Sequence, residues 1–127
     1  MSRFLKLAVF AGALAALPAA TLGTAQAQDA DAGEKVFRKC KACHDAENEK
    51  NKVGPHLVGI IGRPAGTVDG FKYSDAMANS GITWDAETID AYIAEPKTYV
   101  EGNRMAFPGL KKEEDRADVI AYLESLQ

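Results

Sequence analysis

The segment from Asp45 to Phe71 constrains this chain more than any other. Its 27 residues contain Gly54-Pro55, Gly59, Gly62, Arg63-Pro64, Gly66 and Asp69-Gly70, which is turn chemistry from end to end. So long a stretch without a regular element is uncommon in a compact domain. It is stable only if it wraps around something that supplies the core the chain itself lacks.

The chain has little core to lend. Of its 127 residues, the first 27 read as a leader. Arg3 and Lys6 form a short basic start, Leu7 to Leu17 is an uncharged apolar run, and Pro18 breaks it. Small residues then lead to Ala25-Gln26-Ala27. This is the three-part pattern of a secretory signal peptide, with cleavage expected after Ala27. An uncleaved anchor is the alternative, although the run is shorter than the roughly 20 residues a spanning helix needs. There is no twin-arginine pair, so export of the unfolded chain is the simpler route.

Residues 28–127 then form a single expected domain of 100 residues with 13 basic and 18 acidic side chains, a net charge of −5. That balance excludes a protein that coats nucleic acid through bulk positive charge. Two cysteines cannot build a disulfide scaffold. A domain of this size buries only a modest core.

The periodic segments are all helical. Asp31-x-x-Glu34 resembles a capping box, and Gly33, Val36, Phe37 and Cys40 follow on one face. Tyr73 to Asn79 fits a short helix capped by Ser74 and stopped by Gly81. Trp84 leads into a helix over Asp85 to Glu95, with Ile89, Tyr92 and Ile93 on one side and Pro96 ending it. The last helix is predicted over Glu113 to Leu126. Its acidic start suits the helix dipole, and Val119, Ile120, Tyr122, Leu123 and Leu126 make the buried stripe. Strand patterns are absent, so the fold class is all-α.

The chemistry lies in Cys40-Lys41-Ala42-Cys43-His44. At helical spacing the two thiols and the imidazole leave from one face. Two thiols so placed can add across the two vinyl groups of a haem, and the neighbouring imidazole can reach its iron. C-x-x-C-H is the attachment signature of c-type haem. A thioredoxin-like pair would need a βαβ context. A structural zinc site would need four ligands, and His56 is the only other Cys or His in the chain. A Cys40–Cys43 disulfide closes too small a loop to stabilise much. A haem also supplies the core that the long loop requires.

The sequence resembles the class I c-type cytochromes, nearest to the mitochondrial-type subgroup that includes small periplasmic bacterial cytochromes. The likeness covers nearly all of residues 28–127. Gly33-Glu34-Lys35-Val36-Phe37 precedes the motif, and Val53-Gly54-Pro55-His56-Leu57 and Gly59-Ile60-Ile61-Gly62-Arg63 follow it. Gly70 to Ala76, Gly81-Ile82-Thr83-Trp84, Glu95 to Tyr99 and Asn103 to Gly109 continue the series. The resemblance implies the cytochrome c fold, with crossing N- and C-terminal helices and loops around one covalent haem c.

His56, Met77 and Met105 are the candidates for a sixth iron ligand opposite His44. Met77, between Ala76 and Ala78, reads as core, and His56 as a loop residue near the surface. The resemblance places the axial thioether at Met105, and a neutral thioether favours ferrous iron and raises the potential. It also implies that the Pro55 carbonyl orients His44, that Tyr73 and Trp84 hydrogen-bond a haem propionate with Arg63 nearby, and that Tyr92 lies beside the Met105 sulfur. Asn103 stands where the family often has a hydroxyl residue that contacts a propionate. Gly33 would allow the last helix to approach closely at Tyr122.

With both axial positions filled, the iron can only change charge by one electron, so the expectation is an electron carrier and not an enzyme. An enzyme or gas sensor would need a displaced Met105 and a distal acid–base pair, and no such pair is evident. Lys39, Lys41, Lys52, Lys97, Arg104, Lys111 and Lys112 lie near the motif, the Met105 loop or the neighbouring loop. In the family such cations ring the exposed haem edge, which implies docking to acidic sites on membrane redox complexes. The expected protein is a monomer in the periplasm that carries electrons from a quinol-oxidising complex to a terminal oxidase or photosynthetic reaction centre, without nucleic acid.

Overall fold

The computed structural model describes residues 28–127, so the expected leader lies outside the described residues. Five helices follow in order: α1 (Ala30–Phe37), α2 (Asp75–Ala78), α3 (Ala86–Ala94), α4 (Pro96–Tyr99) and α5 (Glu113–Ser125). Among the described residues there is no strand, only an isolated antiparallel bridge between Pro64 and Thr83.

Helix α1 starts one turn-position earlier than its sequence suggests. Asp29, not Asp31, is the cap. It is extended (φ −111°, ψ 108°), so its carboxylate folds back to accept the Asp31 and Ala32 N–H groups. Asp31 sits inside the first turn, where its charge meets the positive end of the helix. The Asp29 N–H donates in turn to Asp118 Oδ1 (2.9 Å), a buried carboxylate on α5.

That bond opens the crossing of α1 with α5. At Gly33 the helices approach so closely that a β-carbon would strike the Asp118 carbonyl oxygen and lie 2.9 Å from Tyr122 Cβ. The Phe37 and Tyr122 rings meet one turn further on, with centroids 5.4 Å apart. Val119, Ile120 and Leu123 complete the α5 stripe, and Ile89, Val100 and Leu110 pack in the same core. Leu126, expected in the stripe, lies past the last helical residue and is exposed.

Helix α3 begins with a reciprocal cap. Asp85 Oδ1 accepts the Thr88 N–H (2.8 Å) and Thr88 Oγ1 accepts the Asp85 N–H (2.9 Å). The Thr88 hydrogen bonds hold the Asp85 carboxyl below the usual carboxylate range. An aspartate whose folded pKa is depressed stabilises above its unfolded pKa of about 3.9, and that help is lost as pH falls through the lower folded value. Asp85→Ala is therefore expected to lower the thermal midpoint at neutral pH. Melts followed by circular dichroism should show this difference from wild type shrinking in strong acid.

Pro96 ends α3 as its sequence implies, but it also opens α4, which the periodicity did not reveal. Proline suits the first position of a helix because its missing N–H has no partner there. Ser74 caps α2 through the Met77 N–H (3.1 Å), and Met77 is buried.

The long segment before α2 is held by backbone pairing within itself and to the stretch that leads into α3. Leu57 N–H donates to Asp45 O (2.7 Å), Gly62 N–H to Trp84 O (2.6 Å), Trp84 N–H to Arg63 O (2.9 Å) and Ala65 N–H to Ile82 O (2.8 Å). Ile60, Ala65 and Val68 point inward from it. The turns are made at Gly59, Gly62, Gly66 and Gly70, all with φ between 68° and 85°, where a side chain would be strained.

Candidate functional site

The C-x-x-C-H residues do not continue α1 as a regular helix. The helix stops at Phe37, and residues 38–43 form successive turns. Cys40 and Lys41 N–H both donate to Phe37 O (2.8 and 3.0 Å), and Cys43 N–H donates to Cys40 O (3.1 Å). His44 N–H also donates to Cys40 O (2.9 Å). This last bond closes one helical turn from Cys40 to His44, so the local spacing survives the loss of the longer helix. Both thiols are free and half-buried. Burial pushes the Cys40 thiol pKa up, Cys43 adds to the rise, and Lys39 opposes it.

His44 is oriented by the loop. Its Nδ1 lies 2.7 Å from the Pro55 carbonyl oxygen, which can only accept, so Nδ1 carries the hydrogen and Nε2 keeps its lone pair. Nε2 has no hydrogen-bond partner among the described residues. Burial pulls the His44 pKa down, the Pro55 carbonyl opposes this, and the Lys52 and Arg63 charges add to the lowering. The ring is thus a neutral, pre-oriented nitrogen donor. Gly54 packs flat against it, and a β-carbon there would collide with the imidazole.

A second cluster is built from the later loops. The Tyr92 hydroxyl donates to Met105 Sδ (3.7 Å), and burial pushes its pKa up to about 12, so the proton stays on the phenol. The Tyr92 ring packs on buried Trp84 with centroids 5.1 Å apart. The Tyr73 hydroxyl accepts the Val68 N–H (3.1 Å), and the Tyr73 carbonyl accepts from the Arg104 guanidinium. Arg63 donates to the carbonyls of Val58 (3.1 Å) and His56 (3.0 Å). Because His56 follows Pro55, Arg63 ties this cluster to the His44 loop.

Asn103 is fully engaged. Its amide donates to Pro96 O (2.6 Å) and Val100 O (2.8 Å), and its Oδ1 accepts the Met105 N–H (2.8 Å). Two hydrogens meet two carbonyls, which leaves no donor free for a propionate.

Beyond Met105 the chain is fastened again. Leu110 N–H donates to Ile93 O (2.8 Å), and a β-carbon on Gly109 would strike Ala94 O. Arg116 pairs with Asp90 (2.7 Å) and donates to the Leu110 and Lys111 carbonyls. Sequence reasoning missed Arg116, because two of its three partners are backbone carbonyls. His56, read as a loop residue near the surface, is half-buried, and its Nδ1 has no hydrogen-bond partner among the described residues. Met77 belongs to the hydrophobic core.

Two free thiols, a neutral imidazole with its Nε2 lone pair available and a thioether held by a phenol make a donor set that fits a haem c. The comparisons agree. Residues 30–127 match the family model described as cytochrome c. The chain is 50% identical over 107 residues to a cytochrome c2 of Blastochloris viridis, which covers 84% of each chain. It is 57% identical over 91 residues to cytochrome c2 iso-2 of Magnetospirillum fulvum, 72% of this chain and 95% of that one. Among solved structures, cytochrome cH from Methylobacterium extorquens superposes with a TM-score of 0.73 at 48% identity, covering 76% of this chain and 98% of that one. The chain therefore belongs to the cytochrome c family, with covalent haem c as its cofactor and electron transfer, not enzyme catalysis, as its activity.

Proposed function

We propose that this protein is a soluble, monomeric carrier whose haem is bonded through Cys40 and Cys43 and ligated axially by His44 Nε2 and Met105 Sδ. The observation that carries the reading is the double restraint on Met105: its N–H is held by Asn103 and its sulfur by Tyr92. A methionine restrained both at its backbone and at its sulfur is held ready to serve as a ligand, and that supports the assignment. Bound there, the haem would supply one-electron chemistry, with His44 and Met105 as the protein's two ligands to its iron. Pro55 holds the proton of His44 on Nδ1, which strengthens Nε2 as a donor. Arg63, Tyr73 and Trp84 are the residues offered to a propionate.

Spectra of the haem-loaded protein test this directly. The ferric form should show the weak red charge-transfer band that reports a thioether–iron bond, and the ferrous form should not take up carbon monoxide. A missing band or ready uptake would overturn the carrier reading.

The partners are membrane redox complexes, a quinol-oxidising donor and either a terminal oxidase or a photosynthetic reaction centre as acceptor. Lys39, Lys41, Lys52, Lys97, Arg104, Lys111 and Lys112 are all exposed, which supports a basic docking face on a protein acidic overall. Among the described residues no helix is long and apolar enough to cross a membrane. Export to the periplasm with cleavage after Ala27 completes the reading, and N-terminal sequencing of the purified protein checks it. Steering by this face makes association fall as salt rises. Electron-transfer rates with a membrane fraction should therefore drop severalfold between low and physiological ionic strength, and a flat profile would remove the basic face from the proposal.

A further inference from the structure

We infer that Asn103 is the positioning residue that keeps the Met105 thioether at the haem iron, by closing the loop from Pro96 to Met105 on itself and not by donating to a propionate. The inference rests on the proposed ligation by Met105.

One side chain makes three bonds across this loop. Its two amide hydrogens go to Pro96 O and Val100 O, and its oxygen takes the Met105 N–H. The anchors do not move easily, since Pro96 is fully buried and Val100 lies in the core. Asn103 therefore transfers the fixed position of α4 to the backbone of Met105. The neighbouring Arg104 guanidinium reaches across to the Tyr73 carbonyl.

The chemistry demands a carboxamide. A serine or threonine hydroxyl has one hydrogen, so it cannot serve both carbonyls. An aspartate keeps an oxygen for the Met105 N–H but turns two attractions to carbonyl oxygens into repulsions. Asparagine satisfies all three partners without charge.

The loop then has two states, one with sulfur at the iron and one opened. An added ligand such as imidazole binds only the opened state, so its apparent affinity scales with the opened fraction. Removing Asn103 raises that fraction by the worth of its hydrogen bonds, roughly tenfold to a hundredfold.

The test uses the haem-loaded ferric protein, with imidazole as the probe and the red charge-transfer band as the readout. Asn103→Ala and Asn103→Asp should raise apparent imidazole affinity by roughly tenfold or more. Asn103→Ser, with a single donor left, should fall between them and wild type, and it serves if the harsher variants fail to fold. Asp29→Ala loses the cap of α1, far along the chain from this loop, and controls for global stability. It should lower the melting temperature and leave imidazole affinity within about twofold of wild type.

If the Asn103 variants bind imidazole no better than Asp29→Ala at an equal loss of melting temperature, Asn103 is only structural and the inference is overturned. If wild type itself lacks the charge-transfer band, the Met105 ligation fails first, and it fails independently of any Asn103 variant.

Discussion

Replacing Met105 by alanine in the haem-loaded protein should abolish the red charge-transfer band of the ferric form and let the ferrous form take up carbon monoxide. It should also lower the reduction potential by about 0.1–0.3 V, within the roughly 0.8 V that axial ligands span. The sulfur's hydrogen-bond partner among the described residues is no substitute for it. Tyr92 is the hydroxyl beside it, and burial keeps that group protonated and a poor ligand. Met77→Leu is the matched control. That thioether is buried in α2, so its replacement should cost a little stability and leave spectrum and potential unchanged. A Met105→Ala protein that kept the band would remove Met105 from the iron.

The second large effect lies in packing alone. Gly33→Val should destabilise the folded protein by about 3 kcal/mol or more. The obstruction is the Asp118 backbone carbonyl, which cannot rotate away as a side chain could. The helices must separate, which loosens the Phe37–Tyr122 contact and the Asp29–Asp118 hydrogen bond together. Gly33→Ala meets the same oxygen and should cost most of that amount. Denaturant titration of the ferric protein measures the loss. Because Gly33 touches none of the proposed ligands, the charge-transfer band of the folded fraction should persist.

These two sites show what a sequence discloses. The spacing of Cys40, Cys43 and His44 was readable because covalent chemistry fixes it, and it holds although the helix expected to carry it breaks at Phe37. Val119, Ile120, Tyr122 and Leu123 were readable as core because the apolar residues of α5 gather in one stretch of the helix, where Asp118 is buried with them. Asp29 was overlooked in favour of Asp31, since only Asp31 has a glutamate three residues on, whereas the cap that forms uses the aspartate carboxylate alone. Helix α4 was hidden because a proline that stops one helix can open another. Ile60, Ala65 and Val68 carried no period, since a loop buries residues according to where it turns. Asn103 was the hardest to read. Its partners are two main-chain carbonyls and a main-chain N–H, and no residue type announces those.

The crossing of α1 and α5 also sets an order of events. The Asp29 N–H waits for a carboxylate 89 residues further on, and synthesis supplies that carboxylate long after α1. Until then α1, at eight residues, is far too short to persist alone. Cys40 therefore lies on open chain through most of the chain's making, and it packs against the core only after closure. The interval in which the thiols can be reached from any side is the interval before the C-terminal helix arrives. A chain shortened before α5 should keep its cysteines accessible to a thiol-reactive probe, whereas completion of the last helix starts the clock on their burial.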